Sequence, residues 1–236
     1  MVALALDTAS GSISCALKAG DAVYYREEPD EQNAGSLLLP MTEALFEEAH
    51  IQPASLNLVV CMRGPGSFTG LRIGFATAKG IAMALGIPLV SVPTLDCFVP
   101  VEINREPREP REQFKRILPV LDAKKQQFYA ALYEDGVCLR PAFDATLEEV
   151  GEMIDANTLI TGPGAALLQE RLGKPLQIAK DANKGRAREL LALGIEAYQK
   201  GYVDSPDSAP VYLRLSDAEL SIKKTTNSTN RLCRHE

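Results

Sequence analysis

The sequence predicts an α/β fold of two lobes that repeat one element order, βββαβα. Two short apolar runs, one ending in Asp7 and one in Asp122, each open a half. Each run is followed by two strand-like segments about a glycine turn, then helix, buried strand and helix. Residues 102–115, EINREPREPREQFK, separate the halves and read as a solvated linker. The halves repeat in order of elements, not in residues.

In the first half, VALALD is a buried strand. SISCALKAG alternates, and AVYYREE follows the turn signal Gly20, Asp21. The period of SLLLPMTEALFEEAH predicts a helix over 36–49, which His50 closes. LNLVVCMRG reads as a buried strand, and a helix over 69–85 ends at Gly86. In the second half, RILPVLDAK is the opening strand. QQFYAALYED and VCLRPAFD form a hairpin about Asp135 and Gly136. TLEEVGEMID is a helix whose Thr146 and Glu149 spell a capping box. NTLITG is a strand, AALLQERLG a helix, and GRARELLALGIEAYQKG a last helix. The expected organisation is therefore a lobe over 1–101, the linker 102–115, a lobe over 116–215 and a polar tail over 216–236.

A net charge of −6 argues against strong polyanion binding by the chain alone. In the linker, Arg105, Arg108 and Arg111 alternate with Glu102, Glu106, Glu109 and Glu112, so their field largely cancels. No stretch approaches the roughly 20 apolar residues that span a bilayer. The start MVALALDTAS lacks a basic leader, so a cytoplasmic location is expected. The 5 cysteines have no paired spacing and suggest neither a disulfide framework nor a zinc site. His50 and His235 stand far apart, so no histidine pair offers one helical face to a metal. No metal site and no catalytic residue are expected.

The glycine-rich stretch RGPGSFTGLRIGFATAKG invites a phosphate-loop reading, but its spacing fits neither G-x-x-x-x-G-K-[ST] nor G-x-G-x-x-G. What remains is a tight turn of Gly64, Pro65, Gly66, Ser67, Phe68, Thr69 and Gly70, with Ser67 or Thr69 capping the next helix. Along that helix Gly70, Gly74, Thr77, Ile81 and Ala84 form a small face, expected to lie inward. The helices 36–49 and 69–85 carry more apolar surface than one core needs, which argues for a partner surface. Its expected members are Leu38, Met41, Leu45, Arg72, Phe75, Ala76, Lys79 and Met83.

Two facing βββαβα halves match the ribonuclease H-like architecture of actin, Hsp70 and sugar kinases (the ASKHA type), where nucleotide sits between the lobes. By that analogy Asp7, Thr8 and Ser10 form a first phosphate turn and Asp122 the second, and Gly162 and Gly164 lie near adenosine. Neither turn has glycine where backbone must approach phosphate closely. Asp7 as a simple turn cap is an equal alternative.

The run MRGPGSFTGLRIGFATAKGIA resembles the signature of the bacterial TsaB (YeaZ) family. LALDTAS, LDAKKQQFYAALY, TGPGA and PVYLR resemble its other landmarks in order, from residue 2 to about residue 215. The resemblance implies a non-catalytic scaffold in the complex that forms N6-threonylcarbamoyladenosine at position 37 of tRNAs reading ANN codons. It implies TsaD, a paralogue of the same fold, as main partner, and the ATPase TsaE as another. Pairing with TsaD runs through the first helices of the N-terminal lobe, the same surface that supports homodimers. Contact with tRNA comes only through the complex. No cofactor is required, with room for weak ATP or ADP binding. The chain departs from the family in NAGSLLLP, which lacks the usual His before Ser36, and in DAKK, where the family has DARR. The alternative is a nucleotide-binding enzyme of the same fold, a glycoprotease-like peptidase or a phosphotransferase.

Overall fold

The computed structural model describes residues 1–29, 33–99 and 114–214. The first lobe holds β1 (Val2–Asp7), β2 (Ile13–Ala19), β3 (Ala22–Glu28), α1 (Ala34–Glu48), β4 (Leu58–Gly64), α2 (Phe68–Leu85) and β5 (Leu89–Pro93). The second holds β6 (Arg116–Asp122), β7 (Gln127–Glu134), β8 (Val137–Thr146), α3 (Leu147–Glu152), β9 (Thr158–Thr161) and α4 (Ala165–Leu172). A further helix, α5 (Ala187–Gln199), follows. The linker proposed at 102–115 falls almost wholly outside the described residues, as does the tail beyond 215.

The first sheet has the strand order β3-β2-β1-β4-β5 and the second β8-β7-β6-β9. In each, an antiparallel hairpin precedes a parallel strand added on the other side: β1 pairs antiparallel with β2 and parallel with β4. Likewise β6 pairs antiparallel with β7 and parallel with β9. Among the described residues the second sheet has no full fifth strand, but Ile178 bridges Ile160 of β9 in parallel, on the side where β5 flanks β4. Two βββαβα units of ASKHA type are thus present.

The continuous apolar run of β1 reflects burial on both faces. Leu4 and Leu6 point to the layer of α1 and α2, while Ala3 and Ala5 point to α5. Helix α5 therefore belongs to the first sheet, which corrects its assignment to the lobe 116–215. Its Leu190 and Leu191 pack with Val60 and Val90, and Gly194 lies so close to Val60 that no Cβ fits. In the second lobe α3 and α4 cover one sheet face through Val150 and Leu168. Leu95 and Phe98, from the short turn Thr94–Phe98, pack with Leu121, Ala131 and Tyr133 and join the lobes. Tyr133 also donates to Asp96 at 2.5 Å across this junction.

Local signals explain the element ends. Ser67 accepts from the Gly70 amide and caps α2, and Gly86 closes it at φ 65°. The capping box on α3 is complete, since Thr146 and Glu149 each hold the other's backbone amide. His50, just past α1, takes the left-handed conformation at φ 53° that ends many helices.

The helix faces differ from expectation. Leu38, Met41, Leu45 and Phe75 are buried in the core between the helices and the first sheet, with Phe75 only 3% exposed. A partner surface built on these four is corrected, because each is needed to cover Leu6, Cys15, Val59 and Cys61. The inward face of α2 runs through Gly70, Leu71, Gly74, Phe75, Ala78 and Ala82. Gly70 and Gly74 lie inward as expected, but Ala84 is exposed and Ile81 half-buried. The glycines let the backbone come close to Thr8, which rotates the bulky Leu71 and Phe75 into the adjoining gap.

Candidate functional site

Where β1 ends, the chain turns through Asp7, Thr8, Ala9 and Ser10, all buried. The Asp7 carboxylate is fully buried and receives five hydrogen bonds. Its Oδ1 accepts from the amides of Ala9 (3.1 Å) and Ser10 (3.2 Å). Its Oδ2 accepts from Ser10 Oγ (2.5 Å), Ser14 Oγ (3.1 Å) and the Arg186 amide (2.9 Å). Burial pushes this carboxyl above its ordinary value of 3.8, while the bonds from Ser10, Arg186, Ala9 and Ser14 pull it down.

The Arg186 amide belongs to the first turn of α5, which has no side-chain cap of its own. Asp7 supplies that cap from the other end of the chain, and Ser14 Oγ accepts from the Ala187 amide at 3.1 Å. A carboxylate at a helix N-terminus satisfies free amides and meets the positive end of the helix dipole. Here the anion is part of the protein. Gly185 is pressed against this turn: a Cβ there would lie 2.5 Å from Ser14 Oγ and 2.9 Å from Ser12 Oγ. Its amide donates to Glu27 at 2.8 Å, and its carbonyl accepts from Tyr25 at 3.1 Å. Arg186 is itself buried, paired with Asp181 at 3.0 Å and with its guanidinium 4.8 Å from the Phe98 ring centre. Residues 185–187 thus fill the ground beside the first turn.

The other nucleotide candidates are also tied into the fold. Thr8 donates to the Gly70 carbonyl at 2.6 Å. Asp122 accepts from the Lys124 amide (2.8 Å) and from Lys124 Nζ (3.1 Å), both within its own hairpin. Gly162 and Gly164 lie against the end of β6, where the Gly164 amide donates to the Val120 carbonyl at 3.0 Å. Pro163 between them sits on Gly11, whose Cβ would fall 3.2 Å from the proline ring. The two turns that the nucleotide analogy singles out, one in each lobe, therefore touch. Asp7 is joined with Ser10 and Arg186, whereas the Asp122 carboxylate bonds Lys124 of its own hairpin and its backbone lies against Gly164.

The motif turn serves packing. Gly64 has φ 111°, and a Cβ there would strike the Val211 carbonyl. A Cβ on Gly66 would lie 2.5 Å from the Ala9 carbonyl, and one on Gly70 would collide with the Thr8 carbonyl. Pro65 is buried, and Ser67, Phe68 and Thr69 carry the chain into α2. Of the expected partner residues, Ala76 and Met83 are exposed, Met83 by 79%. Leu39, outside the expected partner set, is 52% exposed on α1. Arg72 and Lys79 are held by the segment after α5: Arg72 Nε donates to Tyr212 OH (3.2 Å) and Lys79 Nζ to the Ser208 carbonyl (2.8 Å).

Sequence reasoning missed the place of residues 185–187 beside Asp7 and the contact between Gly11 and Pro163. The one signal was GRAREL, a helix start with no Ser, Thr, Asp or Asn to cap it. Among the described residues, no group of three or more His, Cys, Asp or Glu is placed to hold a metal ion. Among them, too, no helix is long and apolar enough to cross a membrane.

Residues 31–221 match a family described as TsaD: tRNA N6-adenosine threonylcarbamoyltransferase. A Bacillus subtilis protein, "tRNA threonylcarbamoyladenosine biosynthesis protein TsaB", is 30% identical over 232 residues, covering 93% of this chain and 96% of its own. The Escherichia coli protein of the same name is 26% identical over 223 residues, covering 89% and 94%. Among solved structures, YeaZ from Pseudomonas aeruginosa superposes with a TM-score of 0.70 at 24% identity, over 89% of this chain and 100% of that one. A second structure, of an uncharacterized protein with similarity to peptidase YEAZ from Pseudomonas aeruginosa, gives a TM-score of 0.73 at 25% identity, over 90% and 99%.

Proposed function

The chain belongs to the TsaD family, on its TsaB (YeaZ) branch, and from that premise we propose that it is a non-catalytic subunit in the formation of N6-threonylcarbamoyladenosine on tRNA. It acts by pairing with a TsaD-type transferase in the cytoplasm. One observation carries the non-catalytic part: the Asp7 carboxylate, at the strand end where the fold would meet phosphate, caps the chain's own helix α5. With both oxygens engaged by internal donors it is a poor general base and a poor metal ligand. Nucleotide is not required, and any ATP or ADP binding is weak. Contact with tRNA comes through the complex, in which TsaE is the further partner.

The pairing surface is the open side of α1 and α2. Leu39, Ala76, Gly80 and Met83 are exposed there, with Ile73 half-buried. Small residues beside two large apolar ones let a second pair of helices approach closely, and Leu39 and Met83 then serve as anchors. The test is reconstitution with the TsaD-type and TsaE-type proteins of the same host, the threonylcarbamoyl donor and tRNA. Product is expected only when this chain is present, and light scattering should give a one-to-one particle with the TsaD-type protein. Product formation without this chain, or by this chain without the TsaD-type protein, overturns the proposal.

A further inference from the structure

The landmark PVYLR, residues 210–214, has no part in the Asp7 turn or in the proposed pairing face. It lies in an extended segment that follows α5 and crosses from the first lobe to the second. In the first lobe the Asp204 amide donates to the Leu89 carbonyl (2.9 Å), and Ser91 Oγ donates to Asp204 (3.0 Å). The Val211 amide donates to the Arg63 carbonyl at 2.7 Å. That approach is close enough that only glycine fits at position 64, where φ is 111°. Tyr212 packs against Phe68 with ring centres 4.8 Å apart and planes tilted by 42°, and the Arg72 guanidinium lies 3.9 Å from the Phe68 ring centre. Two residues on, Arg214 enters the second lobe. It donates to the Ala123 carbonyl (3.0 Å) and pairs with Asp144 (3.3 Å).

The ground it grips there is unusual. Lys124, Lys125 and Gln126, at the tip of the β6–β7 hairpin, have φ of 61°, 51° and 64°. Successive residues other than glycine rarely hold the left-handed conformation, so this tip persists only because its surroundings fix it. Within the hairpin, the Ala123 amide donates to the Gln127 carbonyl and the Gln127 amide to the Lys124 carbonyl, both at 3.0 Å. Arg214 fastens the opposite side of the same residue, Ala123.

We propose that residues 210–214 are a clasp that couples the start of α2 to the β6–β7 hairpin, holding the hairpin in its strained form while Tyr212 is seated on Phe68 and Arg72. A partner that draws Phe68 or Arg72 away from Tyr212 releases Arg214 and lets the hairpin relax, 50 or more residues away in sequence. The coupling is a property of this chain alone, so it stands or falls independently of the pairing proposal.

The test perturbs one end and reads the other. Residue-resolved amide hydrogen exchange is measured on the full chain and on Tyr212→Ala, Arg214→Ala and Tyr202→Ala. Tyr212 touches only the first lobe in the contacts above, yet Tyr212→Ala is expected to speed exchange of the Ala123 and Gln127 amides about tenfold. Arg214→Ala should do the same, and should also loosen the amide of Val211. Tyr202 is 67% exposed on the same segment, and its removal should change neither end. If Tyr212→Ala speeds exchange only among residues 63–72, or if Tyr202→Ala loosens the hairpin equally, there is no clasp. Should Tyr212→Ala fail to fold, Tyr212→Phe keeps the ring and removes the hydroxyl; unchanged exchange at Val211 and at the hairpin in both Tyr212→Phe and Arg214→Ala then overturns the proposal.

Discussion

Phe75 and Met83 lie two turns apart on α2 and should separate folding from pairing. Phe75 is 3% exposed and sits among Leu4, Leu45, Cys61 and Ala78. Cutting it to alanine removes most of a buried ring and leaves a cavity that the α1 and sheet side chains cannot collapse to fill. The expected cost is about 3–5 kcal/mol, which for a chain of this size lowers the melting temperature by roughly 6–20 °C. Met83 is 79% exposed. Met83→Asp should change stability by about 0.5 kcal/mol or less. It places a charge at the centre of the proposed pairing face, and loss of an anchor there costs about 2 kcal/mol, or roughly a 30-fold weaker Kd. Melting is followed by circular dichroism, and pairing by calorimetry against the TsaD-type protein. An unshifted melt for Phe75→Ala would refute the assignment of the inner face. A normal melt for Met83→Asp together with undiminished affinity would refute the pairing face.

Gly70→Ala drives a Cβ into the Thr8 carbonyl and should cost about 2–3 kcal/mol in chemical denaturation, whereas Gly80→Ala meets nothing within 4 Å and should stabilise by up to about 1 kcal/mol. Asp155 accepts from Thr158 Oγ1 and the Asn157 amide, and these bonds hold its carboxyl below the ordinary 3.8. A lowered folded-state value means that its stabilising contribution is present above the unfolded-state value and is lost as pH falls through the folded one. An NMR titration should show Asp155 titrating below 3.8, and Thr158→Val should raise it. Asp7→Ala should lower the melting temperature by uncapping α5 and leave any weak ADP affinity unchanged; a calorimetric titration in which wild-type binding vanishes with Asp7 would contradict its assignment as a cap.

Element order was legible because it rests on local chemistry. Thr146 with Glu149, Asp135 with Gly136, and Gly86 each act within a few residues, and each stands where the sequence places it. The run LNLVVCMRG identified a doubly covered strand without indicating what covers it. Helix α5 shows the limit: nothing in RELLALGIEAYQ says which sheet it packs on, because the same apolar stripe suits either lobe. The faces of α2 failed for a related reason. The sequence points to the small residues as the inward set, but Gly70 and Gly74 admit the Thr8 loop and do not themselves fill space. Phe75 then fills what they leave open. The Asp7–Arg186 contact joins residues 179 apart, and no spacing rule reaches that far.

The glycine motif and the Asp7 turn are two sides of one packing solution. Gly66 and Gly70 admit the carbonyls of Ala9 and Thr8, and Thr8 in return donates to the Gly70 carbonyl. With Thr8 and Ala9 drawn toward α2, the Asp7 carboxylate is left to the opposite side of the sheet, where Arg186 and Ala187 present the start of α5. Glycine in this fold can bring backbone amides to a phosphate; here it brings a helix to a loop. The turn that would receive a ligand is consequently clamped between α2 on one face and α5 on the other. A side chain in either glycine position would press on Thr8 or Ala9 and, through them, on the hydrogen bonds that cap α5. The motif is therefore constrained by packing against Thr8 and Ala9, whatever else it touches.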